Sequence, residues 1–452
     1  MNTAASDRRS FLKSTLAACS IPVLRHLSWA NEAGYDRTAW YRQAKFGMFI
    51  HWGPYSQASV EASWPIMTPK PGGITEAGYR SLPATFNPNK FNPRAWVDLA
   101  REAGQKYMVF TTKHHDGFCM FDSAYTDYKI TRTPYGRDIL AQLARACHEN
   151  DMPLGFYYSP PDLHHPGFRD ISRPASENWH GQPERPEWSS YLAYMNLQLR
   201  ELFTRYGPVA LTWFDGLNDQ EKYDGTNVLR MISELQPAML VNDRIGVDGD
   251  FETPEQFIPT QIPTKGVRLT GIDPSVSKNL KSGVPSPQDF RLWEACMTIN
   301  DTWAYNKNDR HYKPASMLIR DLVEIASRGG NLLLNVGPQP DGQIQPEFQE
   351  RLKAIGAWLT VNGDSIYGTT YGPVQNVDGL RTTAGPKTTY LHLFDWKPPV
   401  CTLSGLDARV LSARLLANGE SLTFRQTQDR LEIDIPQTPP DPDVSVVALN
   451  LY

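Results

Sequence analysis

The stretch LAYMNLQLRELFTRYGPVALTWFDG, residues 192–216, holds one complete helix–strand unit. Leu192, Met195, Leu199, Leu202 and Phe203 recur at helical spacing and predict a helix with one apolar stripe. Gly207 closes it, because glycine takes the left-handed backbone that ends helices. Val209 to Phe214 then form an apolar run that reads as a buried strand. The run stops at Asp215-Gly216, so a carboxylate stands where the strand ends. A turn or capping aspartate would look the same in isolation, and the neighbouring units must separate the two readings.

Those units repeat the pattern on both sides. Asn92-Pro93 opens a helix with Trp96, Leu99, Ala100 and Ala103 on one face, ended by Gly104, and Tyr107 to Thr112 reads as the next strand. Ile139, Leu140, Leu143, Ala144 and Cys147 mark a helix before the strand Leu154 to Tyr158. Met317 to Ser327 and Gly329-Gly330 lead into Asn331 to Val336. Alternation of this kind implies a parallel sheet covered by helices. It fits both an open doubly wound sheet and a closed ring of eight strands. Polar residues decide between them. His51-Trp52 follows Phe46 to Ile50, His114-His115-Asp116 follows the second strand, Tyr157-Tyr158 ends the third, and Asp215 ends the fourth. Groups at many strand ends converge if those ends form a ring, so a (β/α)8-like barrel is expected over residues 31–366. No Gly-x-Gly-x-x-Gly turn follows the first strand, which weakens a nucleotide-binding reading.

Beyond Tyr367 the texture changes to short strands at Thr389 to Phe394, Ala408 to Leu416, Leu422 to Phe424 and Val444 to Leu449. Residues 367–452 are therefore expected to form a small C-terminal β-sandwich. Two long proline-bearing loops, His164 to Trp188 and Val247 to Phe290, are expected to form functional rims.

The first thirty residues read as an export signal. Asp7-Arg8-Arg9-Ser10-Phe11-Leu12-Lys13 resembles the twin-arginine pattern, with an apolar stretch from Leu16 to Leu24 and a small-residue cleavage site at Ser28-Trp29-Ala30. A periplasmic or extracellular location is expected. Leu16-Ala17-Ala18-Cys19 admits a lipoprotein reading, but the apolar run before Cys19 is short. No other stretch approaches the roughly 20 apolar residues of a membrane span. The 452 residues carry a net charge of only −4 and no cationic run, which argues against a nucleic-acid partner. Cys119, Cys147, Cys296 and Cys401 lack the spacing of a disulfide framework or zinc site, so structural burial is expected of all four. Many Trp and Tyr residues stand beside His, Asp and Gly, a composition suited to sugar faces and hydroxyls as well as to a large core. Metal binding by His114 and His115 lacks a supporting ligand cluster, and a Gly-x-Ser-x-Gly elbow is absent.

Several longer motifs occur in order. They are Lys45-Phe46-Gly47-Met48-Phe49-Ile50-His51-Trp52-Gly53-Pro54-Tyr55-Ser56, Thr112-Lys113-His114-His115-Asp116-Gly117-Phe118-Cys119, Tyr125-Thr126-Asp127-Tyr128 and Arg137-Asp138. Gly155 to Pro160, Trp213-Phe214-Asp215-Gly216, Trp293-Glu294 and Gly329 to Pro338 complete the set. From about Tyr35 to Tyr367 this series resembles the α-L-fucosidases, glycoside hydrolase family 29. The resemblance implies a barrel followed by a β-sandwich, and exo-acting hydrolysis of α-L-fucosides with retention, without metal or organic cofactor. The implied partner is a fucosylated oligosaccharide or glycoconjugate.

Residue by residue, the resemblance places the nucleophile on Asp215. It places sugar hydroxyl contacts on His51, His114 and His115, pocket aromatics on Tyr157 and Trp213, with Trp213 packing on the sugar, and a further substrate contact on Arg244. Ser59-Val60-Glu61-Ala62-Ser63-Trp64 resembles the Glu/Trp sugar-contacting segment, although its spacing departs from the commoner adjacent pair, so Glu61 and Trp64 are carried over on that reservation. The acid/base position varies in the family. Asp250-Phe251-Glu252-Thr253-Pro254-Glu255 registers on Glu255, with Glu252 and Glu294 as competitors, and Glu294 has an alternative role in orienting the pocket. Two other readings stand beside this one: a retaining glycosidase for a fucose-like sugar such as an α-L-galactoside, and a non-catalytic fucose-binding module. The second would predict a missing nucleophile or broken histidines, and all are present.

Overall fold

A computed structural model describes residues 36–216, 220–428 and 430–452. The export signal and Cys19 lie outside the described residues. Seven parallel strands form the first sheet: β1 (Phe46–Ile50), β2 (Tyr107–Lys113), β3 (Leu154–Tyr158), β4 (Leu211–Phe214), β5 (Leu240–Val241), β6 (Glu294–Thr298) and β7 (Asn331–Val336). Their order is β5-β4-β3-β2-β1-β7-β6, so the sheet curls with β5 and β6 at its edges. The gap between those edges is spanned by residues 250–256. Phe251 bridges in parallel to Asn242, while Glu252 and Glu255 bridge to Trp293 and Cys296. This segment lay inside the loop read as a rim. Its Glu-Thr-Pro-Glu sequence has no apolar run to announce a strand, yet it supplies the missing wall.

The outer helices form where their sequences cap and stop them. Asn92 accepts the N–H of Ala95 at 3.2 Å and starts the helix Pro93–Glu102, and Asp138 accepts that of Ala141 at 2.9 Å and starts Ile139–Glu149. Gly104 and Gly207 follow their helices at φ of +82° and +81°, where a side chain would be strained. Trp188–Arg205, Gly225–Leu235, Ala315–Ser327 and Pro346–Asn362 complete the main helices. Side chains alternate along each strand. Phe49, Tyr107, Val109, Tyr157, Leu211, Trp213, Cys296 and Leu333 fill the barrel interior, whereas Met48, Met108, Phe110, Phe156 and Leu334 pack in the helix-facing core.

From Thr370 the strands are antiparallel and form two sheets. In chain order they are β8 (Thr370–Tyr371), β9 (Leu380–Ala384), β10 (Thr388–Leu393), β11 (Val400–Ser404), β12 (Val410–Leu415), β13 (Ser421–Leu422), β14 (Phe424–Thr427), β15 (Arg430–Asp434) and β16 (Ser445–Leu451). The larger sheet runs β13-β12-β16-β10-β9-β8 and the smaller β11-β15-β14. Leu391, Leu393, Val447 and Leu449 meet Leu403, Leu431 and Ile433 in a shared core, the sandwich expected. It is tied to the barrel by Trp358, whose indole donates to the Val444 carbonyl at 3.0 Å, and by the Arg381–Glu324 ion pair at 2.6 Å. Cys119, Cys147 and Cys296 are buried and free, while Cys401 is only half-buried. Among the described residues no helix is long and apolar enough to cross a membrane.

Candidate active site

The ends of β1 to β5 and the spanning segment meet at one end of the barrel. His51 follows β1, His114 and His115 follow β2, Tyr157 lies near the end of β3, Asp215 follows β4, Arg244 follows β5, and Glu255 lies in the spanning segment. Arg244 is the hub. One terminal nitrogen donates to Asp215 Oδ1 and to Glu255 Oε2, each at 2.9 Å. Its Nε and other terminal nitrogen bond the hydroxyl and carbonyl of Thr253, at 2.8 and 2.9 Å, which hold the guanidinium plane. The two hydrogens on a guanidinium nitrogen diverge by about 120°, so the two carboxylate oxygens stand about 5 Å apart.

Arg244 lowers both carboxyls, yet the two end on opposite sides of their ordinary ranges. Burial alone would raise Asp215, but the charge of Arg244 and the bonds from Tyr157 and Arg244 outweigh it, and Asp215 sits below its ordinary range. Tyr157 donates its hydroxyl to Asp215 Oδ2 at 2.9 Å. Glu255 is dominated by burial, and the nearby charge of Asp215 adds to it. Arg244 opposes both, and Glu255 ends above its ordinary range. A carboxyl lowered beside one raised is the arrangement that divides nucleophile from acid.

Three neutral imidazoles line the approach. Asn335 donates to the Trp303 carbonyl at 2.7 Å, which turns its oxygen toward His51 Nδ1, also at 2.7 Å. His51 therefore carries its proton on Nδ1 and presents Nε2 as an acceptor. Ser63 accepts the Asp116 N–H at 2.9 Å and gives its own hydrogen to His114 Nδ1 at 2.6 Å, leaving His114 Nε2–H as a donor. Ser159 gives its hydrogen to the Pro161 carbonyl at 2.8 Å and accepts from His115 Nδ1. His115 Nε2 then faces Asp215 Oδ2 at 3.5 Å with a bare lone pair. Burial pushes His51 and His115 down to about 4 and His114 well below its usual value, so none is charged near neutral pH. One group of candidate metal ligands occurs among the described residues, Asp301, Asp309 and His311, and includes none of the three.

The remaining expected residues fall at different depths. Trp213 is the floor, only 2% exposed, with Arg244 over its ring at 4.5 Å and Tyr157 stacked beside it at 5.9 Å. Little of its face is left for a sugar. Glu294 opens β6 in the barrel interior. It accepts the Trp213 indole N–H at 3.0 Å and the Tyr107 hydroxyl, and burial raises it to about 7. It therefore supports the floor from below, apart from Asp215 and Glu255. Glu252 is engaged by Arg291 at 3.1 Å and the Leu269 N–H at 2.9 Å. Glu61 accepts the Trp303 N–H with both oxygens, at 2.9 and 3.1 Å, and burial raises it to about 7. Trp64 meets His115 edge-on at 6.3 Å. Trp303 and Asn335 also belong to the site: Trp303 packs on His51 at 5.0 Å and Asn335 sets its tautomer. Asn335 lay within a quoted motif without a role, and Trp303 lies in a loop with no repeating pattern.

A pair of half-buried carboxyls about 5 Å apart on one arginine, approached by uncharged hydrogen-bonding imidazoles, defines a carbohydrate-cleaving site of the retaining type. The sequence profile described as Alpha-L-fucosidase matches residues 24–364. Plasma α-L-fucosidase of Rattus norvegicus is 31% identical over 86% of this chain and 85% of its own. The solved α-L-fucosidase isoenzyme 1 of Paenibacillus thiaminolyticus has a TM-score of 0.81 at 36% identity, covering 92% of this chain and 99% of that one. A Bacteroides thetaiotaomicron family 29 α-L-fucosidase, solved as a trapped covalent intermediate with 2-fluoro-fucosyl fluoride, gives 0.77 at 28% identity, covering 92% and 96%. The chain belongs to the α-L-fucosidase family, glycoside hydrolase family 29.

Proposed function

We propose that the protein is an exo-acting, retaining α-L-fucosidase of fucosylated oligosaccharides or glycoconjugates, with Asp215 as nucleophile and Glu255 as acid/base. The observation that carries this reading is the single Arg244 nitrogen bonded to both carboxyls. In the first step an Asp215 oxygen attacks the anomeric carbon, and the departing glycosidic oxygen takes the Glu255 proton. In the second, ionised Glu255 removes a proton from water, which attacks the same carbon and breaks the ester to Asp215. Two inversions release fucose with its configuration retained. His51, His114 and His115 offer acceptors and a donor to the sugar hydroxyls, and Glu61 and Trp64 stand beside them. Azide separates the two carboxyls. Asp215→Gly should lose activity by orders of magnitude and, with azide, yield a glycosyl azide of inverted configuration. Glu255→Ala should keep rate on an activated aryl fucoside, lose it on natural oligosaccharides, and yield the retained azide. Near-normal activity in Asp215→Gly would sink the assignment.

Export through the twin-arginine route is part of the proposal, on Asp7-Arg8-Arg9-Ser10-Phe11. Replacing Arg8 and Arg9 by Lys should trap the precursor in the cytoplasm; unchanged export would exclude that route.

A further inference from the structure

We propose that Trp179 and His180, continuing from Trp64, form an outer subsite that holds the sugar beyond the fucose. The proposal rests on the fucosidase reading and extends it to the glycan. A row of rings leads outward from the nucleophile. His115 stands beside Asp215, Trp64 meets His115 edge-on at 6.3 Å, Trp64 meets Trp179 at 6.2 Å, and Trp179 stacks on His180 at 3.6 Å. Exposure rises along the row: His115 is buried, Trp64 and Trp179 are half-buried, and His180 is exposed. Neither indole N–H is hydrogen-bonded within the protein among the described residues. Ring surface with unspent donors at its edge matches the alternating C–H faces and hydroxyl edges of a hexose.

The loop that carries these rings is built rigidly. Arg169, buried to 2%, bonds the carbonyls of Leu163, Asp170 and Arg173, the side chain of Asn178, and Glu76 at 2.9 Å. Glu76 in turn accepts the Ala175 N–H at 2.8 Å, which fixes the helical turn Ala175–Asn178 immediately before Trp179. Lys222 bonds the His180 carbonyl. A loop held by a buried arginine presents its rings without an ordering cost on binding. Such construction is more than a surface turn requires.

The test compares two substrates in Trp179→Ala, Trp179→Phe and His180→Ala. One is α-L-fucosyl fluoride, whose leaving group is too small to reach the loop, and the other is a fucosylated trisaccharide. In Trp179→Ala, kcat/KM for the trisaccharide should fall about tenfold more than for the fluoride, mostly through KM, with His180→Ala smaller and Trp179→Phe partly restored. Equal losses on both substrates in Trp179→Ala and His180→Ala would overturn the subsite. A wild-type protein that hydrolyses neither substrate would instead refute the fucosidase reading.

Discussion

Replacing Arg244 with Met removes the charge between Asp215 and Glu255 while keeping a side chain of similar length. Two carboxylates about 5 Å apart then repel by about 3 kcal/mol at an effective dielectric of about 20, equivalent to about two pH units. Asp215 loses the charge and hydrogen bond that hold it below its ordinary range, so it takes up its proton at higher pH. Glu255 loses the one group that opposes its burial, so it also rises. The nucleophile must be ionised and the acid protonated, so kcat/KM is bell-shaped and both limbs move in the same direction. On a fucosylated oligosaccharide, whose leaving group needs the Glu255 proton, the acid and alkaline limbs of Arg244→Met should each shift up by about one to two pH units, the pair titrating as a unit. Arg244→Lys keeps the charge without the two-way fork, so it should lose rate with smaller displacement of the limbs. A profile that drops in height but keeps both limbs within a few tenths of a pH unit would show that Arg244 does not set the two titrations.

The buried Lys113–Asp162 pair, 3.0 Å apart with both side chains within 1% of full burial, sits directly before the two histidines. Asp162→Ala should cost on the order of 3–5 kcal/mol by stranding the ammonium, read as a lowered Tm, with partial recovery in Asp162→Leu/Lys113→Met. Glu294 is raised to about 7 from 4.5, so the folded protein holds a proton that the unfolded chain releases between those values. Stability from this group is full below pH 4.5 and lost as pH rises through about 7. Glu294→Gln should abolish that decline in urea midpoints between pH 5 and 7.5, a difference on the order of 2 kcal/mol. The three pocket histidines bond Asn335 and serines, so dialysis against a strong chelator should leave activity unchanged. Loss on chelation with recovery by a divalent ion would contradict that.

Parts of this architecture were legible because local pattern and tertiary role coincide. The run Leu211 to Phe214 is apolar because it lies in a covered parallel sheet, and Asp215 follows because the strand end opens on the pocket. The spanning segment 250–256 was not legible as a strand. Its residues are held by bridges to β5 and β6, and Pro254 and Glu255 carry no alternating pattern. Trp303 and Asn335 reach His51 through contacts across the barrel mouth, more than 250 residues along the chain, which no local spacing encodes. The family resemblance alone placed Arg244 in the pocket. Its double hold on Asp215 and Glu255 depends on where two separate strand ends meet.

Asp215 as the nucleophile is tested by trapping the covalent intermediate. The protein is incubated with 2-deoxy-2-fluoro-fucosyl fluoride, digested, and the labelled peptide sequenced by mass spectrometry. The expected product carries one added 2-fluorofucosyl group per chain, on Asp215 and absent from Asp215→Gly. A label on Glu255, Glu294 or any other carboxylate, or turnover with no covalent adduct and inverted product, would contradict it.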